Sequence, residues 1–224
     1  MTQKQYLICK APNTPAVDSG WNRTEWKNAK ALNIDVVGEE SSDHHPQTDL
    51  KLLYTNTSIF GLFMVKDKYV RAIRSGFQES VCRDSCVEFF FKPKPESGYF
   101  NFEFNCSGAL LSSYITSNKR TKNGFEEYVM LIDEDLKKVN IFHSLPEKVE
   151  PEIKEDTNWF LGFEIPLVIL EKYIGKLGEL SAQTWEANCY KCGDETSHPH
   201  WISWNPINEK NFHCPECFGI MEFE

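Results

Sequence analysis

The chain lacks an excess of basic charge. Its 24 Lys and Arg are outnumbered by 33 Asp and Glu, leaving a net charge of −9. A general binder of nucleic acid or of an anionic membrane needs a basic face, and this balance argues against both. Long apolar runs are also missing. None approaches the ~20 residues that span a bilayer as a helix. The opening segment has only Tyr6 to Cys9 as a continuous apolar stretch, far short of a secretory h-region. The chain as written is therefore expected to be soluble and cytoplasmic, or exported with its leader removed. Nucleophile-elbow, phosphate-loop and dinucleotide fingerprints are absent. So are internal repeats and low-complexity tracts.

What is present is aromatic and strand-like. There are 16 Phe in 224 residues, enough to furnish one large core. Short apolar runs recur, separated by Asn, Gly, Pro, Asp and Lys clusters. LKLLYT (50–55) and IFGLFMV (59–65) flank the polar turn Asn56-Thr57-Ser58 and read as a hairpin. VEFFF (87–91), YFNFEF (99–104), ALLSSYIT (109–116), EYVMLI (127–132) and VNIFHSL (139–145) follow. NWFLGFEIP (158–166), LSAQTWEANCY (180–190), HWISW (200–204) and FGIMEF (218–223) complete the set. Helical patterns are limited to Tyr69–Ser75 and Leu167–Tyr173. The charged stretch from Glu147 to Asp156 reads as a surface loop. The expected fold is a single all-β domain over 1–224, an antiparallel β-sandwich of jelly-roll or immunoglobulin-like type with one or two short helices.

The most informative stretch is DSCVEFFFKPKPESGYFNFEFNCSG, from Asp84 to Gly108. In its second strand Phe100, Phe102 and Phe104 point one way, and Asn101, Glu103 and Asn105 the other, because strand side chains alternate. In the first, Glu88 interrupts an apolar run. Solvated sheet faces also carry such polar alternation. A row of carboxylates and carboxamides on a rigid, Phe-backed sheet equally suits a ligand dense in hydroxyl groups.

The order of these elements resembles the family 9 carbohydrate-binding modules, and more closely their stand-alone bacterial relatives. Trp26-x-x-Ala29-x-x-Leu32, the strand ending in Asp67, DSCVEFFFKP, YFNFEFNCSG, YKCGDETSHPHWISWNPI (190–207) and FHCPECFG (212–219) carry the resemblance over nearly the whole length. It implies a non-catalytic β-sandwich that binds a mono- or oligosaccharide, in association with polysaccharide catabolism. Aromatic side chains would stack on the sugar, whose C–H face meets the negative π face. By position, Glu88 would accept from a sugar hydroxyl, with Asn101, Glu103 and Asn105 on the neighbouring strand. Trp201 or Trp204 would be the platform, and Lys191 or Arg83 the cationic contact. The chain departs from the pattern at Cys82, where the family places a second stacking Trp.

Other chemistries have their own candidates. Glu88 and Glu103 are a possible acid pair for a glycan hydrolase, which needs two carboxyls about 5–9.5 Å apart. Cys189, Cys192, Cys214 and Cys217 form C-x2-C-x21-C-x2-C, a zinc-ribbon spacing. Buried free thiols give the same pattern, and the eight Cys are expected to be mostly free and reduced. Cys82 and Cys86 read as two unrelated thiols, since an extended strand would hold them ~13 Å apart. Structural calcium, implied by the resemblance, would take its oxygen ligands from acidic loops containing Asp43, Asp49, Asp67 or Asp84. His198, His200 and His213, with Asp194 and Glu195, suit a metal, a sugar or plain loop order. His44-His45 reads as a solvated loop. Haem, carried by some related sandwiches, finds no well-placed Met/His pair.

Overall fold

A computed structural model describes residues 3–18, 20–122 and 124–224. The strands in chain order are β1 (Gln5–Lys10), β2 (Leu32–Ile34), β3 (Val36–Val37), β4 (Gln47–Tyr54), β5 (Ser58–Asp67), β6 (Val70–Ala72), β7 (Cys86–Lys92) and β8 (Tyr99–Asn105). They continue as β9 (Leu110–Thr121), β10 (Gly124–Met130), β11 (Asn140–His143), β12 (Val149–Ile153), β13 (Thr157–Pro166), β14 (Thr184–Cys192), β15 (Trp201–Ser203) and β16 (Gly219–Phe223). Two short helices are α1 (Asp133–Leu136) and α2 (Leu167–Ile174). None of the described helices is long and apolar enough to cross a membrane.

One sheet runs β10-β9-β8-β7-β14-β16-β1, and the other runs β1-β4-β5-β13-β11. Strand β1 belongs to both. Its residues Gln5–Ile8 pair in parallel with β16, and Cys9 and Lys10 then pair in parallel with β4. Every other pairing among the described strands is antiparallel. The two sheets face each other over a phenylalanine core. Phe163 of β13 lies parallel to Phe104 of β8 at 5.3 Å between ring centroids, and 6.0 Å from Phe89 of β7. The alternation in YFNFEF thus divides the strand as expected. Phe100, Phe102 and Phe104 enter the core, and Asn101, Glu103 and Asn105 lie on the outer face.

Three expectations change. Tyr69–Ser75 is not helical: it contains β6, which pairs with β12. The carboxylate of Asp84 accepts the N–H groups of Ile73 and Arg74 just beyond it, holding the chain extended. The Glu147–Asp156 stretch is not simply a loop, because it supplies β12. His44 is half-buried and bonded to Asp67 at 2.8 Å rather than solvated.

The candidate sugar cleft on the outer face

The outer face of the β7–β8–β14 sheet is covered by chain. Residues 193–213 and the 3-10 turn Val81–Arg83 fold over it. Asp194 and Glu195 donate their backbone N–H groups to the carbonyls of Cys82 and Arg83. The aromatic ring of Phe212 stacks on Tyr190 at 4.0 Å. What remains open is a cleft of about 230 Å³, lined among others by Cys82, Glu88, Glu103, Cys192, Asp194 and Trp201. It lies below the ~300–1,000 Å³ usual for drug-sized ligands, a size suited to one or two sugar rings rather than a buried chain.

Strand register builds the floor. Glu88 and Glu103 are directly opposed on β7 and β8, and Cys86 sits two residues before Glu88 on the same face. Cys192 of β14 is directly opposed to Cys86. Burial drives both carboxyls up. Glu103 is raised to about 7, against a lowering contribution from the Asn101 amide, which donates to its Oε1 at 2.8 Å. Glu88 is raised well above the usual carboxylate range by burial and then by Glu103 beside it. Its hydrogen-bond donors are thiols, Cys192 at 3.2 Å and Cys86 at 3.9 Å, both to Oε1.

The walls carry charge and one tryptophan. Trp201 donates its indole N–H to Asp194 at 2.7 Å, which fixes the ring plane. The Lys210 ammonium sits over that ring, 3.2 Å from its centroid. Arg120 and His213 complete the rim. His213 is held neutral, its pKa pushed down to about 3 by burial and then by Arg120. Its 3.9 Å approach to Glu103 is therefore a contact between neutral groups near pH 6 rather than an ion pair.

Of the residues singled out in the sequence as sugar contacts, Glu88, Glu103 and Trp201 line the cleft. Asn101 lies behind Glu103, with its carbonyl accepting from the Ser113 N–H. Asn105 is elsewhere. Its amide donates to Asp84 and to the Arg74 carbonyl, and its oxygen accepts from Ser107 and Ala109. It shapes the turn into β9, where Gly108 takes φ +84°. Trp204 is buried in the core between the sheets. A Cβ at Gly219 would come within 2.6 Å of its ring, so that glycine makes room for it. Lys191 is fully buried on the inner face, 3.5 Å from Asp67 and 2.7 Å from His200 Nε2. Arg83 pairs with Glu195 at the surface. The cleft's cations are Arg120 and Lys210 instead. Arg120 lies on an extension of β9 that runs five residues past the expected end at Thr116. The polar tail SNKRT hid it.

The zinc-ribbon quartet does not assemble. Cys189 and Cys192 are three apart on one strand, an odd separation that sends them to opposite faces. Cys189 enters the core and Cys192 the cleft. Cys214 precedes, and Cys217 ends, a separate 3-10 turn over Pro215–Cys217. All eight cysteines are free. The calcium candidates do not gather either. Asp49 accepts from Asn33 and Gln47, Asp84 from Arg74 and Asn105, and Asp67 faces Lys191. His200 is bonded to the His198 carbonyl at 2.9 Å as well as to Lys191.

A jelly-roll-like sandwich with a polar, tryptophan-walled cleft on one sheet is the architecture of a glycan-binding module. The chain belongs to carbohydrate-binding family 9, which it matches over residues 22–223, and carbohydrate binding is the function of that family. The crystal structure of a candidate carbohydrate-binding protein from Bacteroides uniformis ATCC 8492 is 30% identical to it, with 100% of both chains covered and a TM-score of 0.87. A family 9 module from Caldicellulosiruptor kristjanssonii in complex with glucose shares the fold at 11% identity, covering 99% of this chain and 96% of the module, with a TM-score of 0.65. The same source provides a complex with cellotriose, at 12% identity, 99% and 94% coverage and a TM-score of 0.62. No curated protein matches the chain.

Proposed function

We propose that this protein binds the end of a neutral mono- or oligosaccharide, without catalysis, in the cleft bounded by Trp201, Glu103 and Asp194. The observation that carries the reading is Trp201 itself. It is a partly exposed ring, fixed by Asp194, standing beside two opposed carboxyl groups. That pairing offers a sugar one apolar face and several hydroxyl partners at once. The glucose and cellotriose held by the Caldicellulosiruptor modules of the same fold support this choice of ligand class. Cys82 in the cleft leaves Trp201 without a second tryptophan opposite it, so binding should be weak. Sugar hydroxyls exchange water for protein partners at little net gain.

Hydrolysis fits the floor less well. A glycosidase sets its two carboxyls on either side of the scissile bond, one ionised and one protonated. Glu88 and Glu103 project side by side from adjacent strands of one face, so both lie on the same side of anything bound above them.

The test is calorimetry against glucose, xylose, galactose, cellobiose, xylo-oligomers and uronic acids, in EDTA. A neutral sugar should bind, and Trp201→Ala should weaken it at least tenfold, ~1.4 kcal/mol. Sugar binding untouched by that substitution would move the site elsewhere. Heat of binding accompanied by release of a shorter sugar would make the protein an enzyme.

Lys210 supplies a further expectation. Its ammonium covers the ring face that a pyranose would take. Cation–π contacts near the surface are worth ~0.5–1 kcal/mol, so Lys210→Ala should tighten sugar binding by about two- to fivefold. Weaker binding in that variant would mean that Lys210 touches the sugar instead of competing with it.

A further inference from the structure

Below the cleft, the thiols of Cys86 and Cys192 and a carboxylate oxygen of Glu88 lie within 4.8 Å of one another. Among the described residues they are the one group of three potential metal ligands brought so close. The placement follows from the sheet. Cys86 and Cys192 are directly opposed across the β7–β14 pairing, and Glu88 shares their face. All three are buried, so they are neither a solvated acidic patch nor an isolated cysteine. Glu88 has a second peculiarity. It is almost fully buried, yet its hydrogen-bond donors are the two thiols, which are weak donors. Elsewhere in the sandwich a buried carboxylate has strong partners: Asp67 has Lys191, His44 and Trp159, and Asp84 has Arg74 and Asn105.

The spacing fits a tetrahedral ion. With Zn–S near 2.3 Å and Zn–O near 2.1 Å, the edge between two ligands is about 3.6 Å. The two thiols lie 3.2 and 3.9 Å from Glu88 Oε1, on either side of that value. Two sulfurs and one oxygen suit a borderline-soft divalent ion better than calcium or magnesium, which take oxygen.

We propose that Cys86, Glu88 and Cys192 form a binding site for one zinc-class divalent cation, with its fourth position open to the cleft. The ligand set would carry a net charge of −1 around the ion, with Arg120 and Lys210 on the same cleft to offset it. Binding exchanges protons for metal: both thiols and the Glu88 carboxyl give up theirs as the ion enters. The crowding that now holds these groups protonated is relieved by the positive charge. Burial and neighbouring acids keep Cys86 and Glu88 up, and for Cys192 the contact with Cys86 ranks first. The site is distinct from the zinc-ribbon spacing, of which it uses only Cys192. It also stands apart from the sugar reading, because metal is titrated without sugar and sugar in EDTA, so either can fail alone.

The experiment titrates reduced, chelator-treated protein with Zn²⁺ by calorimetry, in buffers of different ionisation enthalpy, and with Co²⁺ by absorption. One equivalent should bind, with proton release to the buffer, and Co²⁺ should give a thiolate charge-transfer band in the near ultraviolet. Cys192→Ser and Glu88→Gln should each weaken Zn²⁺ by at least ~tenfold, and Cys192→Ser should reduce the band. Cys217→Ser, outside the site, should leave both readouts unchanged. Circular dichroism of each variant checks that the fold persists. If folded, reduced protein gives no thiolate band, or if Cys217→Ser removes it and Cys192→Ser does not, the assignment is wrong.

Discussion

Replacing Lys191 with methionine is expected to destabilise the protein by about 3–5 kcal/mol, the usual cost of stranding one member of a buried ion pair. Lys191 and Asp67 have fully buried side chains. Burial alone would raise the Asp67 carboxyl. The Lys191 ammonium, the bond from His44 and that from Trp159 overcome this and hold it at about 2. Lys191 also donates to His200, whose pKa burial and then the ammonium push down to about 3, leaving it a neutral acceptor. Without the ammonium, Asp67 keeps three hydrogen-bond donors, His44 at 2.8 Å, the Lys68 backbone N–H at 2.8 Å and the Trp159 indole at 3.1 Å, but no buried cation. Urea unfolding at pH 7 should show the loss as a lower midpoint with unchanged slope. The melting temperature should fall by roughly 10 °C, at ~2–4 °C per kcal/mol for a chain of this size. The double variant Lys191→Met, Asp67→Leu should recover much of it, because no charge is then left behind. Sugar affinity should stay within about twofold in Lys191→Met, since the side chain points away from the cleft. A loss under ~1 kcal/mol, the value of an exposed pair, would mean that Lys191 is not buried with Asp67. A large loss of sugar affinity in a stable variant would return it to the role its position in the sequence suggests.

Lys191 also shows where a sequence stops being legible. The Asn101/Glu103 alternation is readable because each strand divides its apolar and polar residues cleanly. In β14 the sequence TWEANCYKC has no such division, and burial on both faces makes aromatic and polar residues appear on each. Only the pairing of Tyr190 with Glu88 places Tyr190 outward and thereby Lys191 inward. Register is a tertiary property, and a one-residue slip exchanges the faces. Trp201 and Trp204 were equivalent on sequence for the same reason: three apart on an extended segment, one is cleft and the other core. Strand β1 was invisible for a different reason. Its apolar stretch is four residues, and it is held in parallel by β16 and β4, far away in sequence. The rim residues Lys210 and Asn211 sit in a loop whose composition is that of any loop. The Lys210 ammonium stands over Trp201 and pairs with Glu40 at 3.2 Å, a contact across 170 residues that no periodicity announces.

Glu103→Gln is expected to stabilise the protein by about 3–4 kcal/mol at pH 8 and by little at pH 4. The sign follows from linkage. A carboxyl whose folded pKa is raised to about 7 holds a proton in the native state that the unfolded chain releases above ~4.3. Its contribution is fully present below that pH and is lost as pH rises through about 7. Glutamine keeps the oxygen that accepts from Asn101 and removes the charge that must otherwise be buried. At pH 8 the native protein carries that charge beside Glu88, and the variant does not. Other groups shape the full profile. His200 and His213, depressed to about 3, oppose the two glutamates between about pH 4.5 and 6.5, so the protein's stability should be nearly flat there. Below that, Asp67 joins the histidines: its contribution is present above ~3.9 and lost as pH falls toward about 2. Acid unfolding should therefore be steep. Above pH 7 the histidines are neutral in both states while Glu103 completes its ionisation, so stability should decline. The difference between native protein and Glu103→Gln isolates one of these slopes, because the histidines and Asp67 are common to both. Chemical denaturation at pH 4, 6 and 8 measures it. A constant difference across the three would mean that Glu103 titrates normally and that its carboxylate reaches solvent. The same variant tested against the sugar identified above separates the two duties of the carboxyl: affinity lost while stability rises is the signature of a group placed for a ligand at the expense of the fold.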